Sequence, residues 1–360
     1  MKSKYFHKKV REMSEKKEKK EKLEKTGLEE MTFAALNPYR EANIPSLTEV
    51  EDGRSRYVYW GDNNALPAYY RELYETSDTL SSVINAIKDY VKGNDVEGAD
   101  AEDIGLLAVD WCLFGCCALQ VHRRSNGTIS ASYLNVANLR TDKDRQTFWY
   151  SEDFSKGYGR YKAVVYPRYM ENSEERTSIL YMRNDRNRTY GYPRWGSAVN
   201  AAEAERKLGE YHLNNISNGF SASYLINFNG GKPNDAIKQE IEDSINDKFS
   251  GSGNAGRIMV SFNQDKDHQA DIQKLETEDF GAKMESLVKW CRTSILSKFR
   301  CSPQLVGVNL ENIGFNSQEY AEAYVLFNRT VIKPIQDAIE SLYAQLGIKV
   351  MITPFSVELT

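Results

Sequence analysis

Tyr190-Gly191-Tyr192-Pro193, running into residues 194–218 and closing at Ser217-Asn218-Gly219, is the stretch that decides the fold. Proline fixes the backbone at a helix start, the following residues are rich in Ala and Glu, and Asn-Gly is a C-terminal stop. One helix over 194–218, about 37 Å long, is predicted. Downstream, the pattern predicts a strand over Ser223–Phe228, a helix over 234–249 and a strand over Arg257–Phe262. The middle helix carries Ile237, Ile241, Ile245 and Phe249 at i+4 spacing, with Asn234 or Asp235 as cap and Gly251 as stop. A second long helix over 277–300 then repeats the length of the first, with Phe280, Met284, Leu287, Val288, Cys291, Ile295 and Phe299 as its apolar stripe. Two matched helices around a compact insert predict an antiparallel stalk with a head, whose faces need neighbours for burial.

Beyond it, Pro303, Gly307 and Gly314 mark a loop over Ser302–Phe315. Asn316, with Glu319 three residues on, caps a last helix over about 317–346. Pro334 inside it predicts a kink near residue 330, because proline lacks a donor and clashes with the preceding turn. Lys349–Pro354 is a final short strand.

Upstream, residues 66–92 are predicted helical from Leu80, Val83, Ile84, Ile87, Tyr90 and Val91, with Gly93-Asn94 as the stop. Residues 102–121 form a helix or helix–strand interrupted at Gly115, and Ser125-Asn126-Gly127 signals a hairpin between Ala118–Val121 and Ile129–Leu134. Further strands are expected at 147–150, 161–166 and 178–182, so residues 31–190 form an α+β domain.

The net charge of −4 hides an asymmetry. Residues 1–25 carry 11 Lys+Arg against 5 Glu, whereas the rest carries 36 basic and 46 acidic side chains. The tract over 1–26 has no face to bury and is expected to be a solvated helix or flexible arm. The acidic body is a poor general DNA binder, since sequence-independent affinity comes from Lys and Arg neutralising phosphates. Cys112, Cys116, Cys117, Cys291 and Cys301 are odd in number and clustered, which argues for buried free thiols rather than a disulfide framework or a metal site. No secretory h-region follows the basic start and no apolar run is long enough to span a membrane.

Gly251-Ser252-Gly253-Asn254-Ala255-Gly256 matches GxGxxG, but a helix precedes it and a strand follows, the reverse of a dinucleotide site. Arg257-Ile258 stands where a phosphate-binding P-loop needs Lys-Ser/Thr. No GxSxG, HExxH or clear DxD occurs, so no catalytic residue, cofactor or metal is assigned. Lys283, Lys289, Arg292, Lys298 and Arg300 on the second long helix suit either a solvated face with ordinary salt bridges or phosphate contacts along a channel.

Across about residues 57–346 this layout resembles the portal proteins of tailed phages, in their shorter HK97-like branch. The resemblance rests on Tyr190-Gly191-Tyr192-Pro193 before the long helix, Ser217-Asn218-Gly219 at its end, and the turn Asn254-Ala255-Gly256. It also rests on Phe299-Arg300-Cys301-Ser302-Pro303-Gln304-Leu305-Val306-Gly307, similar to a phenylalanine-glycine-valine-proline-proline-x-leu-leu-gly segment, and on Asn316-Ser317-Gln318-Glu319 before a helix containing Pro334. Arg300-Cys301 replaces glycine-valine and one proline of the pair is missing.

The resemblance implies an α+β portal-type subunit with a charged arm over 1–30, a wing over 31–193, stem helices over 194–218 and 277–300, and a small βαβ clip over 219–276. A tunnel loop over 301–316 and a kinked helix and strand over 317–360, with a reduced crown, complete it. It implies a dodecameric ring at one capsid vertex of the virion, assembled in the bacterial cytoplasm. That ring would serve DNA packaging, retention and ejection as a passive gate without enzyme activity. Implied partners are further copies of the chain, the major capsid protein, scaffold, the large terminase, the head–tail adaptor and double-stranded DNA, with no membrane. Asn309, Glu311, Asn312 and Phe315 become candidates to face DNA, and Tyr224, Ile226, Ile258 and Val260 to join clips between subunits. The alternatives are another head–tail connector or adaptor ring, and a nucleic-acid enzyme of a mobile element.

Overall fold

In a computed structural model the described residues are 45–46, 48–51, 56–154, 162–217, 224–228, 237, 258–262, 280–307 and 317–355. The strand pair β1 (Val50–Glu51) and β2 (Val58–Tyr59) leads into helices α1 (Leu66–Thr76) and α2 (Asp78–Lys92). The single helix expected over 66–92 is thus two. Ser77 adopts an extended backbone and its side chain accepts from Leu80 N, so it ends one helix and caps the next. Leu80, Val83, Ile84, Ile87 and Val91 on α2 are fully buried.

Strand β3 (Asp95–Glu97) precedes helix α3 (Ala101–Phe114), whose N-cap Asp100 accepts from Glu102 N and Asp103 N. Gly115 ends α3 in the left-handed conformation, and the chain turns directly into β4 (Cys116–Arg123). The Asn-Gly signal holds: β4 pairs antiparallel with β5 (Ile129–Leu134) around a turn closed by Gly127 N donating to Arg124 O. On its other edge β4 pairs with β9 (Thr177–Arg183). A second three-stranded sheet runs β6 (Leu139–Thr141), β7 (Thr147–Tyr150), β8 (Val164–Pro167). Strands β3 and β6 had not been expected; both are only three residues long, too short for an alternation to register.

Helix α4 spans Val199–Ser217, after a 3-10 turn at Gly196–Ala198. It begins later than residue 194 because Trp195 is buried and Gly196 lies against the Tyr192 ring, which keeps that stretch a packed turn. Its nineteen residues give about 28 Å, shorter than expected. Helix α5 (Phe280–Phe299) packs against α4 and matches its length within one residue. Between them, β10 (Tyr224–Phe228) and β11 (Ile258–Phe262) pair in parallel, with Ile226 opposite Val260. A parallel pair requires a crossover connection. The expected helix over 234–249 lies outside the described residues apart from Ile237, which is helical.

The last helical segment is broken as Pro334 predicted. Helix α6 (Ser317–Phe327) passes through a π-helical turn, Asn328–Ile332, into α7 (Lys333–Ala344). The wide turn sits immediately before the proline, where the α ladder loses its donor. Strand β12 (Met351–Thr353) then returns to pair antiparallel with β3, tying the end of the chain to the α+β domain. No helix among the described residues is long and apolar enough to cross a membrane.

Candidate assembly and channel site

The Tyr190-Gly191-Tyr192-Pro193 motif is the joint between the α+β domain and helix α4. Gly191 crosses Gly115 so closely that a Cβ on Gly191 would lie 2.1 Å from Gly115 O. Tyr190 stacks on Trp60 with ring centroids 4.3 Å apart, donates its hydroxyl to Val58 O at 2.6 Å and accepts from Thr141 N at 3.1 Å. Tyr190→Phe should lower stability by about 2–3 kcal/mol, because both backbone partners are left buried and unpaired. Urea unfolding measures it.

Helix α4 is fastened to the domain by carboxylates. Glu205 accepts from Ser77 Oγ at 2.5 Å, Thr79 Oγ1 at 2.6 Å and Thr79 N at 3.2 Å, at the N-terminus of α2. A carboxylate there meets free helix donors and the positive end of the dipole. Buried Glu203 forms a fork with Arg206, which also reaches Glu210.

A fully buried carboxylate, Asp110 of α3, fixes the corner after β5. It accepts from Tyr133 OH at 3.0 Å and Val136 N at 3.1 Å, both on Oδ2. Burial, opposed by these donors and by Arg71, pushes its carboxyl up to about 7. A raised carboxyl stabilises the fold below its unfolded value of about 3.9, and that contribution fades as pH climbs through about 7. Wild type should therefore lose ground to Asp110→Asn between about pH 4 and about pH 7 in urea midpoints. A gap that does not move with pH would contradict this.

Helix α5 buries Cys291, Ile295, Leu296 and Phe299, and turns Leu287 and Trp290 outward at 38% and 49% exposure. Leu287, expected on the apolar stripe, sits at its edge. Ser286, Trp290, Thr293 and Ser297 recur at i, i+4, i+7 and i+11, an exposed stripe without charge. The predicted basic residues do not share one line. Lys289 and Lys298 are exposed nine residues apart, on opposite sides of the helix, while Arg292 is half-buried. Lys283 has a described backbone but no described side chain.

Arg300 is exposed and left-handed at φ 53°. Its N–H donates to Ser297 O and that of Cys301 to Leu296 O, the paired bonds of a Schellman cap in which glycine usually stands. Arg300→Gly should raise stability by about 1 kcal/mol, measurable as an increased urea midpoint. The following turn, Pro303–Val306, ends at left-handed Gly307. Asn309, Glu311, Asn312 and Phe315 lie outside the described residues. Tyr224, Ile226, Ile258 and Val260 are placed in the parallel β10–β11 pair by their backbone alone. All five cysteines are buried, and burial pushes Cys112, Cys116 and Cys301 up to about 12, which keeps them as protonated apolar side chains. Among the described residues no His, Cys, Asp and Glu are grouped to hold a metal ion.

The phage portal protein family model matches residues 100–351, more than two thirds of the chain. The chain belongs to the phage portal protein family. No curated protein matches it in sequence. Similar solved structures include a chain from the virion of a native gene transfer agent particle, at 15% identity and TM-score 0.49 over 79% of this chain and 83% of that one. A chain in the neck of the native particle, computed with C12 symmetry, is 15% identical with TM-score 0.47 over 86% of each. An HK97-family phage portal protein from Corynebacterium diphtheriae is 10% identical, with TM-score 0.47 over 79% of this chain and 94% of that one.

Proposed function

We propose that the chain is one subunit of a dodecameric portal ring at a capsid vertex, through which double-stranded DNA enters, is retained and leaves. Family membership supports the channel. The observation in the subunit that carries the ring is the outer face of its stem. Leu213 on α4, at 65% exposure, joins Leu287 and Trp290 on α5 in leaving apolar side chains uncovered on a two-helix stem. A tryptophan set among serines and threonines without charge is suited to close packing against the stem of a neighbouring copy.

In this reading the Ser286–Ser297 stripe is the seam between subunits. Exposed Lys298 and Arg300, next to the loop, with Asn309, Glu311, Asn312 and Phe315, are candidates to meet DNA, whereas Lys289 lies on the opposite side of the helix. The net acidity of the body favours sliding over gripping. The clip docks the terminase and then the adaptor, the wing meets capsid and scaffold, and the chain carries out no chemistry.

Leu287→Glu combined with Trp290→Glu tests the seam. The variant should keep its circular dichroism spectrum and run as a monomer where wild type forms rings. Rings that persist would contradict the seam.

A further inference from the structure

Helix α2 is held at its two ends by different parts of the chain. At its start, the Glu205 carboxylate of stem helix α4 takes three donors from Ser77 and Thr79. At its end, Tyr90 OH donates to Leu305 O at 3.1 Å and meets Tyr320 OH at 3.4 Å. One residue on, Val91 O accepts from Gln336 Nε2 of α7 at 3.1 Å, in a buried setting. Between the ends, α2 buries Leu80, Val83, Ile84 and Ile87 completely. Fifteen residues of close-packed helix, about 22 Å, cannot absorb a displacement locally.

We infer that α2 is a coupling rod, which carries a displacement of stem helix α4 at Glu205 to the Pro303–Val306 turn and to helix α6. The far end has a compliant element to receive it. Helix α7 is anchored by buried Ile335, Ile339, Leu342 and Tyr343, whereas α6 buries only Tyr324 and Phe327 and leaves Val325 and Leu326 at 64% exposure. The π-helical turn separates the two and interrupts the regular α ladder between them, as such turns do, frequently at functional sites. The coupling is a property of the single subunit; its service to DNA passage rests on the portal reading.

Hydrogen exchange on the full-length protein tests it without requiring a ring. Glu205→Ala should speed exchange about tenfold in the first turns of α2. It should also speed exchange, by a smaller factor, at residues 302–307 and 320–324. Glu205→Gln keeps an acceptor and should show the same two regions more weakly; it decides the matter if the alanine variant does not fold. Lys207→Ala, on the same helix and paired with Glu210 among the described residues, should change neither region. A response that stops within the first turns of α2 would overturn the inference. So would one shared equally by the distant β6–β7 hairpin, which would mean general loosening. Neither result bears on ring formation, so failure of the rod and failure of the portal reading are separable.

Discussion

Gly115→Ala is expected to destabilise the protein by about 3–5 kcal/mol. Two penalties coincide at this position. Gly115 has φ of 73°, where an alanine Cβ crowds the following carbonyl and costs about 1–2 kcal/mol. The same Cβ would lie 2.5–2.6 Å from Tyr192 O, C and N, all backbone atoms that cannot rotate away. The strands around the crossing cannot yield separately. Gly115 O accepts from Asn184 N, and the Asn184 side chain both donates to Tyr192 O and accepts from Tyr192 N. Relief of the clash therefore means moving the approach to helix α4 away from the core. Urea unfolding measures the loss, and a change under about 1 kcal/mol would show that the two backbones are not in contact.

Arg140→Met should cost a similar amount, about 3–5 kcal/mol. Arg140 is buried, and its hydrogen-bond partners among the described residues include no acidic side chain. Its guanidinium instead donates to Ala137 O and Leu139 O at 2.8 Å each, to Asn64 O at 3.1 Å and to Asn64 Oδ1, beneath the rings of Trp60 and Phe154. Burial pulls it down to about 10, so the cation persists at neutral pH. Methionine fills the volume and removes four hydrogen bonds, three of them to backbone carbonyls, while Asn64 Oδ1 keeps Trp60 N as a donor. Arg140→Lys keeps the charge without the planar fork and should recover only part of the loss. Thermal or urea midpoints of the two variants provide the comparison.

Much of the fold was legible because its signals are local. Asn126-Gly127 specifies a hairpin by backbone preference alone, and Pro334 breaks a helix wherever it falls in one. The buried stripe of α2 follows from period 3.6. What escaped depends on distant partners. Ser77 sits in a continuous helical pattern, and it becomes a boundary because Glu205, far along the chain, takes its hydroxyl. Trp195 and Gly196 delay α4 through packing, Trp195 in the core and Gly196 against the Tyr192 ring, not through any local stop. Strand β12 was visible and its partner β3 was not, since two three-residue strands identify one another only when the fold brings them together.

For the candidate site, the sequence offers residue types and not their orientation. Basic residues on helix α5 are evident in the sequence, but only the buried set Cys291, Ile295, Leu296 and Phe299 shows which way that helix turns, and it divides Lys289 from Lys298. Trp290 gave no sequence signal of its own beyond an aromatic outside the apolar stripe. Arg300 was noted as a departure from glycine, and its left-handed backbone shows that the cap survives the substitution.

The measurement that bears most directly on the central claim is native mass spectrometry of the purified chain with negative-stain imaging of the same sample. Rings with a central hole, near twelve copies, are expected. A compact monomer that stays monomeric when combined with its capsid and scaffold partners would contradict that claim.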